Sequence, residues 1–286
     1  MIIAETISHT RDLIKQARLE EKTIGLVPTM GALHEGHFSL IRRCVMECDF
    51  SVVSIFINPT QFGPTEDLDK YPRTFEADTC SCRDLGVDLI FAPPTEQMYA
   101  SENLAWINVE KLTDHLCGST RPTHFRGVCT VVAKLFNIIQ PDIAYFGQKD
   151  AQQLAVIRRM VQDLNIPVDI RPCPIVRDPH GLALSSRNDY LSPDQKRLAL
   201  CLSQALSHAR ELVAAGTTDS ATIINAMQSI ILGQPQTRID YISIVDSQLL
   251  QPLEQIDRPA LIALAVHIGP ARLIDNILVE PPAQKQ

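Results

Sequence analysis

The chain of 286 residues has no run rich in Lys or Arg, and its formal net charge is −7. Proteins that bind nucleic acid need a basic surface for the phosphates, so no nucleic-acid partner is expected. No uninterrupted apolar stretch is long enough to cross a bilayer, so no membrane partner is expected either. The N-terminus lacks the basic and apolar regions of a signal peptide. These absences predict a cytoplasmic protein.

The chain also lacks cysteine pairs at the spacing of zinc fingers or ribbons. Its eight cysteines are scattered, which argues against a disulfide framework and agrees with a reducing compartment. Cys44 and Cys48 lie one helical turn apart, and Cys80 and Cys82 are two residues apart. A role as small buried apolar side chains is better supported for these pairs than zinc binding.

The apolar residues (45%) and charged residues (21%) are in ordinary proportion for a soluble globular chain of one or two domains. In the first part of the chain, short apolar runs alternate with stretches of helical periodicity. This alternation predicts an α/β fold with a doubly wound, parallel, Rossmann-like sheet. The predicted strands are 23–27, 50–57, 87–91, 143–146 and 168–171, and the predicted helices are 75–85, 127–139 and 151–164.

The segment Pro-Cys-Pro at 172–174 interrupts this alternation. Ser192 then begins a helix as its N-cap, with Pro193 at the first helical position and Gln195 three residues after the cap. This helix is predicted to reach about Ala215, and a second helix and three strands follow it. We therefore predict a Rossmann-like domain over residues 1–176 and a smaller C-terminal α+β lid domain over residues 177–286.

The segment 28–37, PTMGALHEGH, carries the strongest functional signal. It stands where a predicted strand passes into a helix, and ligands of open α/β sheets bind at that edge. The helix start attracts phosphate, and Gly31 and Gly36 let the backbone approach a ligand. His34 and His37 can donate hydrogen bonds to phosphate oxygens during phosphoryl or nucleotidyl transfer. One histidine near a turn is usually structural, but two beside glycines favour a functional site.

Two later loops carry polar residues at the same predicted edge. Gln61 offers a donor and an acceptor to a hydroxyl or a carboxylate. Gly147 permits close approach of the backbone, Lys149 is suited to phosphate, and either Gln152 or Gln153 can face a cleft. A loop amide or lysine taken alone is more often structural or solvated. The shared position of these residues supports a binding role.

The segment 181–188, GLALSSRN, offers two hydroxyls and a guanidinium near the predicted domain junction. Arg187 is suited to bidentate contact with phosphate oxygens, and Ser185 and Ser186 add donors. The same residues also suit the cap of a turn. Their place at the junction favours a mobile clamp over an active site.

Six segments follow one another from Pro28 to Asn188: PTMGALHEGH, INPTQFG, DLDKYPRT, HFRGV, FGQKD and GLALSSRN. In this order they resemble the pantothenate synthetase family (pantoate–β-alanine ligases, EC 6.3.2.1) within the HIGH-motif nucleotidyltransferases. Residues 34–37 match the HIGH element, and residues 184–187 match the KMSKS-like loop. The resemblance covers essentially the whole chain. The short, acidic chain argues against an aminoacyl-tRNA synthetase.

The resemblance implies a two-step reaction. ATP and pantoate give pantoyl adenylate and pyrophosphate, and the amine of β-alanine then attacks the adenylate to give pantothenate and AMP. ATP is therefore a substrate, and Mg²⁺ accompanies it, held mainly by phosphate and water. No protein ligand of the metal is expected, with Asp67 and Asp69 as weaker candidates. The family also implies a homodimer.

The resemblance also implies the roles of single residues. His34 and His37 hold phosphates, and the family assigns His37 a general-acid role, which we interpret as stabilisation of charge on the departing pyrophosphate. Gln61 and Gln153 bind pantoate, and Gln61 also binds β-alanine. The implied catalytic residues are His34, His37, Lys149 and Arg187. The implied ATP-binding residues are Met30, Gly31, Ala32, Leu33, His34, Glu35, Gly36, His37, Gly147, Gln148 (where many members carry Glu), Lys149, Asp150, Val176 through its backbone, Leu184, Ser185, Ser186 and Arg187.

Two alternatives stay open at this point. A related adenylyltransferase that acts on a phosphorylated acceptor would need an additional anion site in place of the neutral Gln61 and Gln153, which have no expected arginine nearby. A non-catalytic regulator that binds nucleotides has no need of two histidines, a lysine and an arginine around one polyphosphate. Pyrophosphate release with pantoate or with phosphorylated acceptors distinguishes the first alternative. ATP binding without turnover would support the second.

Overall fold

The computed structural model describes residues 1–64, 66–99 and 102–282. The first elements in chain order are β1 (Ile2–Ala4), α1 (Ile7–Leu19), β2 (Ile24–Thr29), α2 (Glu35–Glu47), β3 (Phe50–Ile55), α3 (Phe75–Asp84) and β4 (Leu89–Phe91). The next elements are α4 (Thr95–Met98), α5 (Cys117–Thr120), α6 (His124–Ile139), β5 (Ile143–Gly147), α7 (Ala151–Asp163) and β6 (Asp169–Cys173). The last elements are α8 (Pro193–Ala214), α9 (Ser220–Leu232), β7 (Thr237–Asp246), β8 (Ala260–Ile268) and β9 (Ala271–Val279).

Six strands form one sheet in the order β1-β4-β3-β2-β5-β6, and every neighbouring pair is parallel. From β2 the chain proceeds through β3 to β4 on one side, and β5 and β6 then extend the sheet on the other side of β2. The winding direction therefore reverses between β2 and β5. The central strands are buried on both faces, as parallel strands between helical layers are. The predicted doubly wound, Rossmann-like sheet is confirmed.

The structure differs from the sequence-based prediction at Pro172, which lies inside β6 and does not end the alternation before it. Strand β6 is at the edge of the sheet and pairs with β5 alone, so the missing N–H of proline is tolerated there. Helix α6 begins at His124, three residues before the predicted start, and β3 ends at Ile55, two residues before the predicted end. Strand β1 and helix α1 have no counterpart in the prediction.

Strands β7, β8 and β9 form a second, antiparallel sheet in which neighbours in sequence are neighbours in space. A core of buried side chains from this sheet and from α8 and α9 includes Leu202, Met227 and Leu264. The predicted α+β character of the C-terminal part is therefore confirmed. No helix of the described residues is both long and apolar enough to span a membrane.

The chain divides into two compact units. Unit 1 consists of Met1–Glu110, Arg121–Gln148 and Val156–Pro174 and contains the six-stranded sheet. Unit 2 consists of Lys111–Thr120, Lys149–Ala155 and the chain from Ile175 onward, with the three-stranded sheet. The division into domains at 1–176 and 177–286 stays a prediction, and residues 283–286 of the second domain lie outside the described residues.

The N-cap of α8, which the sequence predicts at Ser192, can be tested by substitution. The Ser192 hydroxyl accepts the N–H of Gln195, and the Gln195 side chain accepts the N–H of Ser192. Ser192→Ala should lower the free energy of unfolding by about 1 kcal/mol, because the backbone N–H of Gln195 loses its partner. Urea unfolding followed by circular dichroism measures this loss. Ser207→Ala, an exposed position inside the same helix, is the matched control, and equal losses in the two variants would contradict the capping role.

Candidate active site

The place where the winding direction reverses lies in unit 1, between the carboxyl ends of β2 and β5. Strand β2 ends at Thr29 and β5 ends at Gly147, so segment 28–37 leaves the sheet beside Gly147, the second residue of FGQKD. A Cβ added to Gly147 would meet no atom within 4 Å, so the backbone is open to close approach there. Ligands of doubly wound sheets bind at this reversal.

Both histidines of the segment hold the start of α2. His34 is the N-cap, and its Nδ1 accepts the N–H of Gly36 at 3.1 Å. Nδ1 of His37 accepts the N–H of His34 at 3.4 Å, which completes a reciprocal capping box. The two ring centroids are 4.2 Å apart. Because Nδ1 of each ring accepts a hydrogen bond, the proton of each neutral ring is on Nε2, and both Nε2–H groups are donors.

Gly36 is required by this cap. A Cβ at Gly36 would stand 2.8 Å from Cε1 and 2.9 Å from Nδ1 of His34, closer than van der Waals contact allows. The ring of His34 therefore folds back over the helix start only because residue 36 has no side chain. The glycine that the sequence suggests for ligand approach also makes room for a protein side chain.

The turn before the histidines is held by Asp78, a residue that sequence reasoning missed. The Asp78 carboxylate is buried and accepts the N–H groups of Ala32 at 3.0 Å and Leu33 at 2.8 Å. It also accepts the Thr74 hydroxyl at 3.1 Å. Ala32 has a φ of 51°, in the left-handed region where a side chain is strained, so the turn needs such support. The two backbone partners of Asp78 lie 46 and 45 residues away in sequence, and no local pattern indicates them.

Gln61 connects the second loop to the first. Its side chain is nearly buried, with Oε1 accepting Nδ2 of Asn58 at 3.2 Å and Nε2 located 3.0 Å from Sδ of Met30. Helix α6 packs closely against this loop because residue 127 is glycine. A Cβ at Gly127 would lie 2.4 Å from the carbonyl oxygen of Thr60. The structure thus brings together two residues that the sequence assigned to different substrates, Met30 and Gln61.

An arginine lies beside Gln61, so the expectation of no arginine near it is wrong. The carbonyl oxygen of Gln61 accepts a hydrogen bond from Arg121 at 3.3 Å and from Nδ1 of His124 at 2.8 Å. A carbonyl only accepts, so His124 carries its proton on Nδ1, and its Nε2 accepts from Arg121 at 3.1 Å. Arg121 also pairs with Glu66. Burial opposes ionisation of Glu66, but the hydrogen bond and the charge of Arg121, together with His124 and the backbone at Gly63, outweigh it and lower the pKa of Glu66.

Unit 2 contains Lys149, Asp150 and the two glutamines that follow. The carbonyl oxygen of Lys149 accepts Nδ2 of Asn276 on β9 at 2.8 Å, which holds the backbone of this turn. Gln152 is buried, and its amide side chain binds the backbone of the segment 112–117. This structural role of Gln152 supports Gln153, on the same turn of α7, as the glutamine available for a ligand.

The GLALSSRN loop of unit 2 is internally hydrogen-bonded. The carbonyl oxygen of Val176 accepts the N–H of Leu184 at 2.9 Å, and the Ser185 hydroxyl accepts the N–H of Arg187 at 3.3 Å. At the base of the loop, Arg177 binds the buried carboxylate of Asp275 through both terminal nitrogens, at 2.6 and 2.9 Å. The loop is thus anchored to β9. Its predicted closing motion stays a prediction.

The site residues predicted from the sequence belong to both compact units. Unit 1 contains Met30 to His37, Gln61, Gly147 and Gln148, and unit 2 contains Lys149, Asp150, Gln153, Val176 and Leu184 to Arg187. In the part of the chain that the structure describes, no three His, Cys, Asp or Glu residues are grouped as a metal site. Asp67 and Asp69 lie at a 3₁₀ turn over Leu68–Lys70.

Comparison with known proteins shows the family of this chain. The sequence profile of the pantoate–β-alanine ligase family matches residues 2–278. This chain belongs to the pantoate–β-alanine ligase family. A pantothenate synthetase of Thermoanaerobacter pseudethanolicus is 53% identical over 97% of this chain and 98% of its own length. The resemblance drawn from the six sequence segments is therefore confirmed, and the chain is a ligase (EC 6.3.2.1) that condenses pantoate with β-alanine in an ATP-dependent reaction.

Solved structures of pantoate–β-alanine ligases have the same fold. The pantothenate synthetase from Thermus thermophilus superposes with a TM-score of 0.92 at 44% identity, covering 98% of this chain and 100% of that one. The pantoate–β-alanine ligase from Francisella tularensis, solved in complex with β-γ ATP and β-alanine, gives a TM-score of 0.81 at 35% identity, covering 97% of each chain. The fold of this chain is therefore that of the family over nearly its whole length.

Asp78 provides a test of the turn that precedes the histidines. In Asp78→Asn the amide would present an N–H group to one of the two backbone N–H groups, which would disturb the turn. If the turn binds ATP as predicted, kcat/KM for ATP should fall about 10- to 100-fold, the usual effect of losing a hydrogen bond to a charged group. Pyrophosphate release measured against ATP concentration gives this ratio.

The matched control for this experiment is Asp84→Asn, an exposed aspartate at the end of the same helix α3, which should leave the ATP kinetics unchanged. Urea unfolding separates a positioning effect from general loss of the fold. Wild-type ATP kinetics in folded Asp78→Asn protein would show that Asp78 does not position the turn for ATP.

Proposed function

We propose that this chain forms pantoyl adenylate at the start of α2, with His34 and His37 binding the phosphates of ATP. The observation that carries the proposal is the reciprocal cap. It holds both rings at the place where the sheet reverses its winding direction, with an Nε2–H donor on each ring. Two imidazole donors beside the positive end of a helix suit a polyphosphate.

In the first step a carboxylate oxygen of pantoate attacks the α-phosphorus of ATP, and the bond from that phosphorus to pyrophosphate breaks. Negative charge grows on the departing oxygen. Donors that are already oriented stabilise such charge without further reorganisation, and this is the role we assign to His37. Lys149 and Arg187 are proposed to contact the same phosphates, and the remaining ATP-binding residues are those that the family resemblance implies.

Gln61 and Gln153 are proposed to bind pantoate, and Gln61 also β-alanine. The contacts of Gln61 support this role, because Asn58, Arg121 and His124 hold its side chain and its backbone in one orientation. In the second step the amine of β-alanine attacks the acyl carbon of the adenylate, and AMP leaves. Adenylation supplies the chemical activation, and the protein contributes position and electrostatics.

Mg²⁺ is proposed to accompany ATP. The Asp78 carboxylate, which holds the turn in segment 28–37, is already engaged by two backbone N–H groups and one hydroxyl. Because Asp78 already has these partners, it is not needed as a metal ligand. This agrees with a cation that is held mainly by phosphate and water, as Mg²⁺ commonly is. We further propose a homodimer, a cytoplasmic location without nucleic-acid or membrane partners, and a division into domains at 1–176 and 177–286.

The two nitrogens of His37 have different roles, which two substitutions separate. Asn places its carbonyl oxygen near Nδ1 and retains the cap, whereas Gln places its amide group near Nε2. His37→Asn should fold normally and slow adenylate formation about 10²- to 10³-fold, the usual loss for a donor to transition-state charge. His37→Gln should recover part of that rate. Single-turnover pyrophosphate release measures the rate of adenylate formation in both variants. A rate near wild type in His37→Asn would contradict the proposed role of Nε2.

The order of the two steps has its own test. Enzyme with ATP, Mg²⁺ and pantoate should exchange labelled pyrophosphate into ATP when β-alanine is absent, because the first step reverses by itself. Omission of pantoate is the control and should abolish the exchange. A strict need for β-alanine would contradict the two-step proposal. Exchange with a phosphorylated acceptor in place of pantoate would favour the related adenylyltransferase, and ATP binding without exchange or turnover would favour the regulator.

A further inference from the structure

Two cysteines near the end of α2 lie side by side. Cys44 and Cys48 are one helical turn apart, with the N–H of Cys48 bonded to the carbonyl oxygen of Cys44 at 3.0 Å. Both are free thiols, Cys44 is buried and Cys48 is half-buried. The pair therefore combines one partly accessible thiol with one buried thiol.

Residue 25 shows how closely the two thiols approach. A Cβ added to Gly25 on β2 would stand 2.5 Å from the sulfur of Cys44 and 2.7 Å from the sulfur of Cys48. The two sulfurs are therefore no farther apart than the sum of these distances. The glycine provides the space in which both sulfurs meet. Any larger residue would push them apart.

Tyr145 and Glu47 complete the surroundings of Cys48. The phenol oxygen of Tyr145 lies 3.3 Å from the sulfur of Cys48 and donates to the carboxylate of Glu47 at 3.0 Å. The neighbouring Cys44 thiol lowers the pKa of Cys48 to about 7, against the opposing effects of burial and of the carboxylates of Glu47 and Asp142. The proximity of Cys48, together with burial, raises the pKa of Cys44. By contrast, burial raises the pKa of Cys82 to about 12.

We propose that Cys44 and Cys48 form a redox-active dithiol that a hydroperoxide oxidises reversibly to a disulfide. The thiolate of Cys48 attacks the terminal oxygen of the hydroperoxide, the O–O bond breaks, and a sulfenic acid forms with release of the hydroxide or alkoxide. The Cys44 sulfur, losing its proton, then attacks the Cys48 sulfur, and water leaves as the disulfide forms. The dithiol loses two electrons, which reduce the hydroperoxide.

The geometry predicts that this disulfide is easily reduced. Side chains at i and i+4 of a helix have Cβ atoms about 5–6 Å apart. A disulfide needs a separation of about 3.5–4.5 Å, so the last turn of α2 has to tighten. Cys48 is the C-cap of the helix, with extended φ and ψ of −127° and 149°, so the adjustment falls where the helix ends. Strained disulfides are the labile and regulatory ones, and those of cytosolic proteins are commonly transient.

The test uses the reduced full-length chain treated with hydrogen peroxide and then with an alkylating agent. Trypsin cleaves after Arg43 and next after Lys70, so both cysteines lie in one peptide, 44–70. We expect this peptide to resist alkylation and to be lighter than the reduced peptide by two hydrogens. Dithiothreitol should restore both thiols. A peptide that stays fully alkylated, or one in which Cys48 gains oxygen without forming a disulfide, would overturn the proposal.

Variants assign the two roles. Cys44→Ser should leave Cys48 as a sulfenic acid that dimedone traps, and Cys48→Ser should leave Cys44 reduced. Cys80→Ser, which removes an exposed cysteine on α3, is the matched control and should leave the disulfide in peptide 44–70 unchanged. Loss of that disulfide in Cys80→Ser would show that Cys44 and Cys48 do not pair with each other, and it would overturn the proposal. The wild-type peptide decides the proposal even if one of the cysteine variants fails to fold.

Discussion

The six strands of the larger sheet all run in the same direction, and this constraint governs the site in unit 1. Parallel neighbours cannot be joined by a tight turn, so a helix returns the chain to the starting edge after each strand. The turns from strand to helix consequently open at one edge. Where the chain reverses its winding direction, the helices after β2 and β5 leave on opposite faces, and the two turns separate into a crevice. Segment 28–37 and Gly147 occupy the borders of that crevice.

The side chains proposed to act on ATP are also the side chains that build the helix start. His34 and His37 satisfy backbone N–H groups at the first turn of α2 with Nδ1, which leaves the tautomer with a proton on Nε2. The energy of the cap therefore orients the donors that we propose to bind the phosphates of ATP. Under this proposal, a substitution at either histidine affects the helix and the chemistry together, and only residues that preserve one nitrogen position distinguish the two effects.

Strong periodicity allowed most of the fold to be predicted. The apolar strands between helical stripes, and the Ser192 cap with Pro193, lie within a few residues of their predicted places. The errors in the predicted elements occur where contacts with distant parts of the chain determine the local structure. Pro172 is accepted because β6 is an edge strand, and a sequence does not indicate which strand lies at the edge. Strand β1 has only three residues, too few for a recognisable alternation.

By itself, the sequence determined the alternating architecture, the family, and the residue types of the candidate site. These properties depend on periodicity and on contiguous motifs, both of which are local. Only the tertiary structure decided that Asp78 holds the turn at Ala32 and that Arg121 lies beside Gln61. It also decided that two cysteines converge over Gly25. Each of these contacts joins segments that the fold brings together, so no pattern within either segment indicates its partner.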